Sequence, residues 1–571
     1  MAEAGLAHTR KLTIIAQDPG LRGDNDSILT TEVEVPLEDL EPGPRGYRVY
    51  VIDYDVSTGT FYRPFELNPF RDPYKKPSFE GQPTARDFQE YNDRLLNEPG
   101  FHAQNAYAIV MRILSRFEYA LGRRVRWSFD GHQLMIAPHA FADANAFYSK
   151  EQRALLFGYF RGKLGTPSFS CLAHDVIAHE TTHALLDGLR QRYTDPSSPE
   201  QAGFHEGFAD IVALLSIFSL TDVVGTILRW TQASDPAPDA NLIHARYLTP
   251  DKLRESALMG LAKQMGSELS GVRGRALRRS VELQPDTQLI RDPEYEEPHK
   301  RGEVLVAAVL NAFLHIWVKR LTQLGQTRDG YYHCDRVIEE GASIADYLLT
   351  MCIRAIDYSP PTDLQFSDFL SAILTADYEI HPDDSKYEFR KALLDRFRAY
   401  GIEPTSKAED GMWEPPNVDL TYAHSHFENL QRDFDEVFRF IWQNRHVLGV
   451  HNDAYTRVIS VRPCLRVGPD GFALRETVAE YVQMIDLRAK ELEDLGIQKP
   501  EGMDDFLLLR LYGGGAMVFD EYCRLKYHVR NKIGNVGRQS QRLKYLWRFG
   551  FFKEGAEAQR SFADMHRMRF A

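Results

Sequence analysis

An α+β fold is predicted, from a β-rich opening, a long helical middle and a closing stretch that mixes the two. The opening alternates short β-branched and aromatic runs with Gly, Pro and Asp clusters. The middle carries apolar residues at helical spacing. A Pro-, Gly- and charge-rich segment then separates off the end of the chain. These observations predict a β-rich N-terminal lobe over 1–168, a helical lobe over 169–405 and an α+β module over 406–571.

Taken in order, Leu12 to Tyr62 holds strand-like runs such as TEVEV and YRVYVIDYDV. Ala103 to Leu121 has apolar residues at Ala106, Val110, Ile113, Phe117 and Leu121, with Gly122 where a helix should stop. From about Ser168 to Gly401 helical patterns dominate, including Val304 to Leu321 and Ile344 to Ile356. The longest apolar stretch, Phe208 to Leu228, is broken by Asp210 and Asp222 and reads as a buried helix rather than a membrane span. Pro404 to Asn417 reads as a linker. Beyond it come a helix around Phe427 to Asn444 and two strand-like runs, YTRVISVRPCLRV and FALRETVAEYVQMI, joined by Gly468-Pro469-Asp470-Gly471. Gly513-Gly514-Gly515 lacks the Lys-Ser/Thr ending of a phosphate loop and reads as a hairpin turn.

With 571 residues, 43% hydrophobic and 26% charged, the chain is long enough for more than one core and shows no disordered or fibrous bias. Its net charge of −13 gives no overall attraction to nucleic acid or an anionic membrane. Five scattered cysteines, Cys171, Cys334, Cys352, Cys464 and Cys523, fit reduced core thiols rather than a disulfide framework. The first residues lack a signal-peptide pattern, so a cytoplasmic location is expected.

The chemistry concentrates in DVIAHETTHALLD, which contains His179-Glu180-Thr181-Thr182-His183. Residues four apart share a helix face, so both imidazoles reach one metal, and Glu180 addresses a water on it. Two polar residues on a helix surface would be the plainer reading of the motif alone. Downstream, GFHEGFADIVALL places Glu206 and Asp210 four apart on a second helix. Zinc takes two imidazoles and a carboxylate and keeps a position open, while a ligand imidazole needs its other nitrogen held, a role suited to Asp210. His205 is an alternative third ligand, about 100° round the helix from Glu206.

Asp175-Val176-Ile177-Ala178 before this motif, Ala184 after it, and Glu206 with Asp210 resemble the thermolysin family of gluzincin zinc metallopeptidases, over about residues 100–405. The resemblance implies a two-lobed metallopeptidase with zinc in the cleft on His179, His183 and Glu206, and Glu180 as general base. It implies that Asn145 and Ala146, in Asn145-Ala146-Phe147-Tyr148, bind substrate backbone along an edge strand. Tyr193 and His299 take the place of the family's oxyanion donors, with Glu294 orienting His299, and Arg278 that of an arginine beside the substrate carbonyl. Departures are plain. Lys300-Arg301-Gly302 replaces the usual Asn-Ser-Gly after the histidine, several arginines compete with Arg278, and the segment after Glu206 lacks acids to join Asp175, so no double-calcium site is expected.

The resemblance makes a peptide or protein the expected substrate. A rival reading is a catalytically silent, zinc-bearing scaffold acting through its C-terminal module, which is also the expected place for a regulatory partner. From Arg524 to Ala571 twelve Lys/Arg face three Asp/Glu, interleaved with Tyr527, Tyr545, Trp547 and Phe549. That composition fits a nucleic-acid or acidic-partner patch, or simply basic residues solvating a helix.

Overall fold

The computed structural model describes residues 8–20, 27–68, 71–77, 85–161, 167–195, 197–231, 239, 241–255, 279–385, 388–468 and 471–552. Helix accounts for 45% and strand for 21% of a mixed helix-and-sheet structure. Thr9–Ile15 pairs antiparallel with Thr30–Pro36. A five-stranded sheet then forms in the order Val49–Val51, Leu134–Phe141, Ala154–Arg161, Ala146–Ser149, with Pro167–Phe169 also on Ala154–Arg161. Ala146–Ser149 ends that order, as its place between two turns and its short length favour.

Pro99–Leu121 begins one turn earlier than its apolar spacing predicts, because Pro99 occupies the first helical position, where its missing N–H costs nothing. It stops at Gly122, whose φ of 66° lets its N–H cap the Glu118 and Tyr119 carbonyls. The helical layer comprises His174–Leu189, Pro199–Phe218, Thr221–Thr231, Pro298–Thr322, Cys334–Ala355, Phe366–Ile380 and Phe389–Ala399. The predicted single helix from Phe208 to Leu228 is two, bent by 78°. At the stop, the Arg112 guanidinium donates to the Ser216 carbonyl at 3.0 Å and to Ser219 Oγ at 2.8 Å. Pro298–Thr322 is apolar and long enough to cross a membrane, but its apolar window is 78% buried inside the protein.

One continuous core runs from Leu12 to Ile402, so the sheet and the helical layer are not separately cored at residue 168. It also takes in Val518, Tyr527 and Val529 from the C-terminal sheet. That sheet is a meander of Tyr455–Val467, Ala473–Arg488, Leu508–Phe519 and Leu525–Asn531. Gly513 to Gly515 is not a hairpin turn but the middle of Leu508–Phe519, paired with Tyr481 to Gln483. A Cβ on Gly514 would lie 2.3 Å from the Tyr481 carbonyl, so glycine permits the close approach. The predicted helix around 427–444 divides into Phe427–Leu430 and Phe434–Gln443, because Asp433 accepts from the Asp435 and Glu436 amides and caps a new start.

Buried charges join the C-terminal sheet to the helical layer. Asp357 accepts from Arg123 at 2.5 and 2.7 Å and from Arg466 at 2.5 Å, and Arg466 also pairs with Glu476. Arg190, next after the His174–Leu189 helix, pairs with Glu480, and Lys526 with Glu379. Despite burial, the two guanidinium groups hold the Asp357 carboxyl far below its ordinary range. The predicted linker is docked too: Trp413 Nε1 donates to the Tyr358 carbonyl at 2.9 Å and its amide to Thr375 at 2.8 Å.

Candidate functional site

The helix His174–Leu189 is buried along its whole length, which its polar residues tolerate because each is given a partner. Thr181 and Thr182 donate back to the Ile177 and Ala178 carbonyls at 2.6 and 2.7 Å. The imidazoles of His179 and His183 then emerge on one face with Nε2 atoms 2.9 Å apart.

The second helix, Pro199–Phe218, starts at Ser198, whose side chain accepts from the Gln201 amide at 3.1 Å. It delivers Glu206, with Oε2 3.6 Å from His179 Nε2 and Oε1 3.8 Å from His183 Nε2. Donor atoms of the three residues all lie within 4.8 Å of one another. One turn on, Asp210 Oδ1 sits 2.7 Å from His179 Nδ1, which fixes that tautomer with Nε2 as the lone-pair nitrogen. His205 is not a third ligand in this arrangement. Its Nδ1 contacts His183 Nδ1 at 2.8 Å, so it stands behind the second imidazole as Asp210 stands behind the first.

Glu180 is fully buried, and its Oε2 accepts from the Tyr148 amide of the edge strand at 2.9 Å. The strand therefore holds the carboxylate beside the imidazoles. Asn145 turns inward: its carbonyl accepts from the Gly158 amide at 2.8 Å, and its side chain from the Ala146 amide at 2.9 Å. Ala146 opens the strand, buried.

The third helix of the site, Pro298–Thr322, crosses the second at glycine. A Cβ on Gly302 would be 2.9 Å from both the Gly203 carbonyl and the Gly207 amide, and Gly207 meets Gly302 in the same way. That crossing places His299 over Glu206, with Nε2 3.5 Å from Oε2. His299 Nδ1 faces Glu297 Oε1 at 2.5 Å. The orienting acid is thus Glu297, which also caps the helix by accepting from the Lys300 amide at 2.9 Å. Burial pushes the Glu297 carboxyl up, but the His299 hydrogen bond and charge and the capped amides outweigh it and hold it down to about 2. Glu294, the predicted orienter, instead takes Lys300 Nζ at 2.7 Å.

Tyr193 is not brought to this group. The turn after the first helix drives its ring edge-on against Phe204, centroids 5.7 Å apart, and its hydroxyl donates to the Pro360 carbonyl at 2.7 Å. Arg278 lies outside the described residues. Of the basic tail, Arg538 pairs with Asp368 at 2.9 Å, Arg548 with Glu296, and the Tyr527 hydroxyl donates to Glu379 at 2.6 Å. Lys526, Arg538 and Arg548 are thus turned to acids of this same chain.

Sequence reasoning overlooked Glu297, for which a cap signature before Pro298 was available, and weighed His205 as a third ligand rather than as the group behind His183. No family model matches this chain, and neither does any curated protein sequence.

Proposed function

We propose that this protein is a zinc-dependent endopeptidase of thermolysin-like, two-lobed design. The reading rests on one observation: two imidazole nitrogens and the Glu206 carboxylate converge, while Glu180, held by an edge strand, stands on the same helix beside them. The donor set is that of zinc, with both imidazoles backed on their far nitrogens. Bound there, zinc would lower the pKa of a water and polarise the substrate carbonyl.

The chain's own groups supply the rest. Glu180 takes a proton from the attacking water and passes it to the departing amine. His299, oriented by Glu297, donates from Nε2 to the oxygen that gains charge. Tyr193, committed to Pro360, has no part in this scheme. The edge strand offers main-chain pairing to an extended peptide, which makes a peptide or protein the substrate.

Glu180→Gln keeps the shape and the acceptor for the Tyr148 amide but removes the base. Turnover of a broad peptide library should fall by about 10²–10⁴-fold with zinc content unchanged. Undiminished cleavage by that variant would overturn the reading. Zinc that is lost in His183→Ala, with no cleavage by the unmutated protein, would favour the silent scaffold, a reading supported by the absence of Tyr193 from the group.

A further inference from the structure

A second imidazole pair lies in the N-terminal sheet, built from residues far apart in sequence. His102 comes from the helix Pro99–Leu121, His139 from the strand Leu134–Phe141, and Cys171 from the short turn Ser170–Leu172 before the first ligand helix. All three are buried, and their donor atoms lie within 4.8 Å of one another.

The hydrogen bonds decide the tautomers. His102 Nε2 lies 3.0 Å from the Leu96 carbonyl, which only accepts, so that nitrogen carries the proton. His139 Nδ1 lies 2.9 Å from both oxygens of Asp53, so it carries the proton there. The two remaining nitrogens, His102 Nδ1 and His139 Nε2, are both lone pairs, and they face each other at 2.7 Å. Two lone pairs at that distance repel unless a cation stands between them. A proton or a metal ion satisfies the pair, and Cys171 on the same centre selects the metal.

We propose that His102 Nδ1, His139 Nε2 and Cys171 Sγ bind a divalent, thiophilic cation of the zinc class as a structural centre. Cys171 binds as thiolate and gives its proton to solvent. The charges then balance: a divalent ion meets one thiolate and the Asp53 carboxylate behind His139, the carboxylate–histidine–metal arrangement. Metal bonds of about 2.0 Å at the tetrahedral angle separate two ring nitrogens by about 3.3 Å, so the rings part by roughly half an ångström from their 2.7 Å approach. Phe169 packs on both imidazoles, with centroids 4.7 and 5.1 Å away, and Tyr62 on His139 at 5.0 Å. Such a sealed centre has no room for a substrate. It ties the helix, the sheet and the turn that launches His174–Leu189 into one unit.

Cobalt tests this on the unmutated full-length protein, because the other centre offers only nitrogen and oxygen. Protein produced with Co²⁺ should show a thiolate-to-cobalt charge-transfer band in the near ultraviolet. Cys171→Ser and, separately, His139→Gln should lose that band and one ion per chain. Two cobalt ions per unmutated chain is expected if both centres load. One ion with the band would sink the endopeptidase reading and leave this one standing. No band in the unmutated protein, or a band that persists in folded Cys171→Ser, overturns the proposal and leaves a proton between the imidazoles.

Discussion

The two imidazole pairs resemble each other at their centres and differ in what surrounds them. Inner nitrogens are 2.9 Å apart in His179/His183 and 2.7 Å apart in His102/His139, and each pair has a carboxylate behind one ring. Around the first stand Glu180, with no metal to bind, and His299; its margin reaches solvent at Asp210, whose side chain is 18% exposed. Around the second stand Phe169 and Tyr62. The lesson is that the pair we propose as reactive is ringed by groups with chemistry still to perform, and the pair we propose as structural by a hydrophobic seal.

Removing one ligand from each pair gives the sharpest contrast. His183→Ala should lower peptide cleavage by about 10³-fold or more and shift the melting temperature little, whereas His139→Ala should leave cleavage within about a few-fold and lower the melting temperature by several degrees. A peptide assay paired with calorimetry reads both; equal activity losses would erase the distinction. Next in size is the pair behind the rings. Asp210→Asn and Asp53→Asn should each weaken metal retention by about 10–100-fold, at their own centre alone, as measured by competition with a chelator.

Smaller effects belong to the His299 side of the first pair. His299→Ala should cost about 10²-fold in kcat with KM little changed, and Glu297→Gln, which leaves the imidazole present but less firmly held, roughly tenfold. The least effect is on acid stability. The Glu297 carboxyl is held down to about 2 in the folded state, so it stabilises the fold fully above its ordinary value near 4.5 and loses that contribution as pH falls through 2. Glu297→Gln should flatten this limb of an acid-unfolding curve, with no counterpart for the second pair.

The first pair was legible in sequence because its spacing is that of a helix turn: His179 with His183, and Glu206 with Asp210, share faces by geometry alone. The second was not, since His102, His139 and Cys171 meet only through tertiary packing, and Cys171 read as a plain core thiol. Between these extremes, His299 was found by its place before a helix, but its orienting acid was misassigned to Glu294 because helix capping by Glu297 was not weighed. Tyr193 had the expected position in the chain, yet a single turn sends its ring under Phe204. Strand and helix limits failed where a side chain from elsewhere bonds to the backbone, as Arg112 does at Ser216, or where glycine signals close packing rather than a turn, as at Gly514.

The chain of buried charges from Arg123 through Asp357, Arg466 and Glu476 also bears on whether the two ends of the protein can be treated as separate modules. Removing one partner alone would leave a buried charge uncompensated, at a cost of several kcal/mol. Because Val518, Tyr527 and Val529 also enter the main core, the C-terminal sheet is part of one packed unit rather than a detachable cassette. A change on one side of this charge chain is answerable to the other.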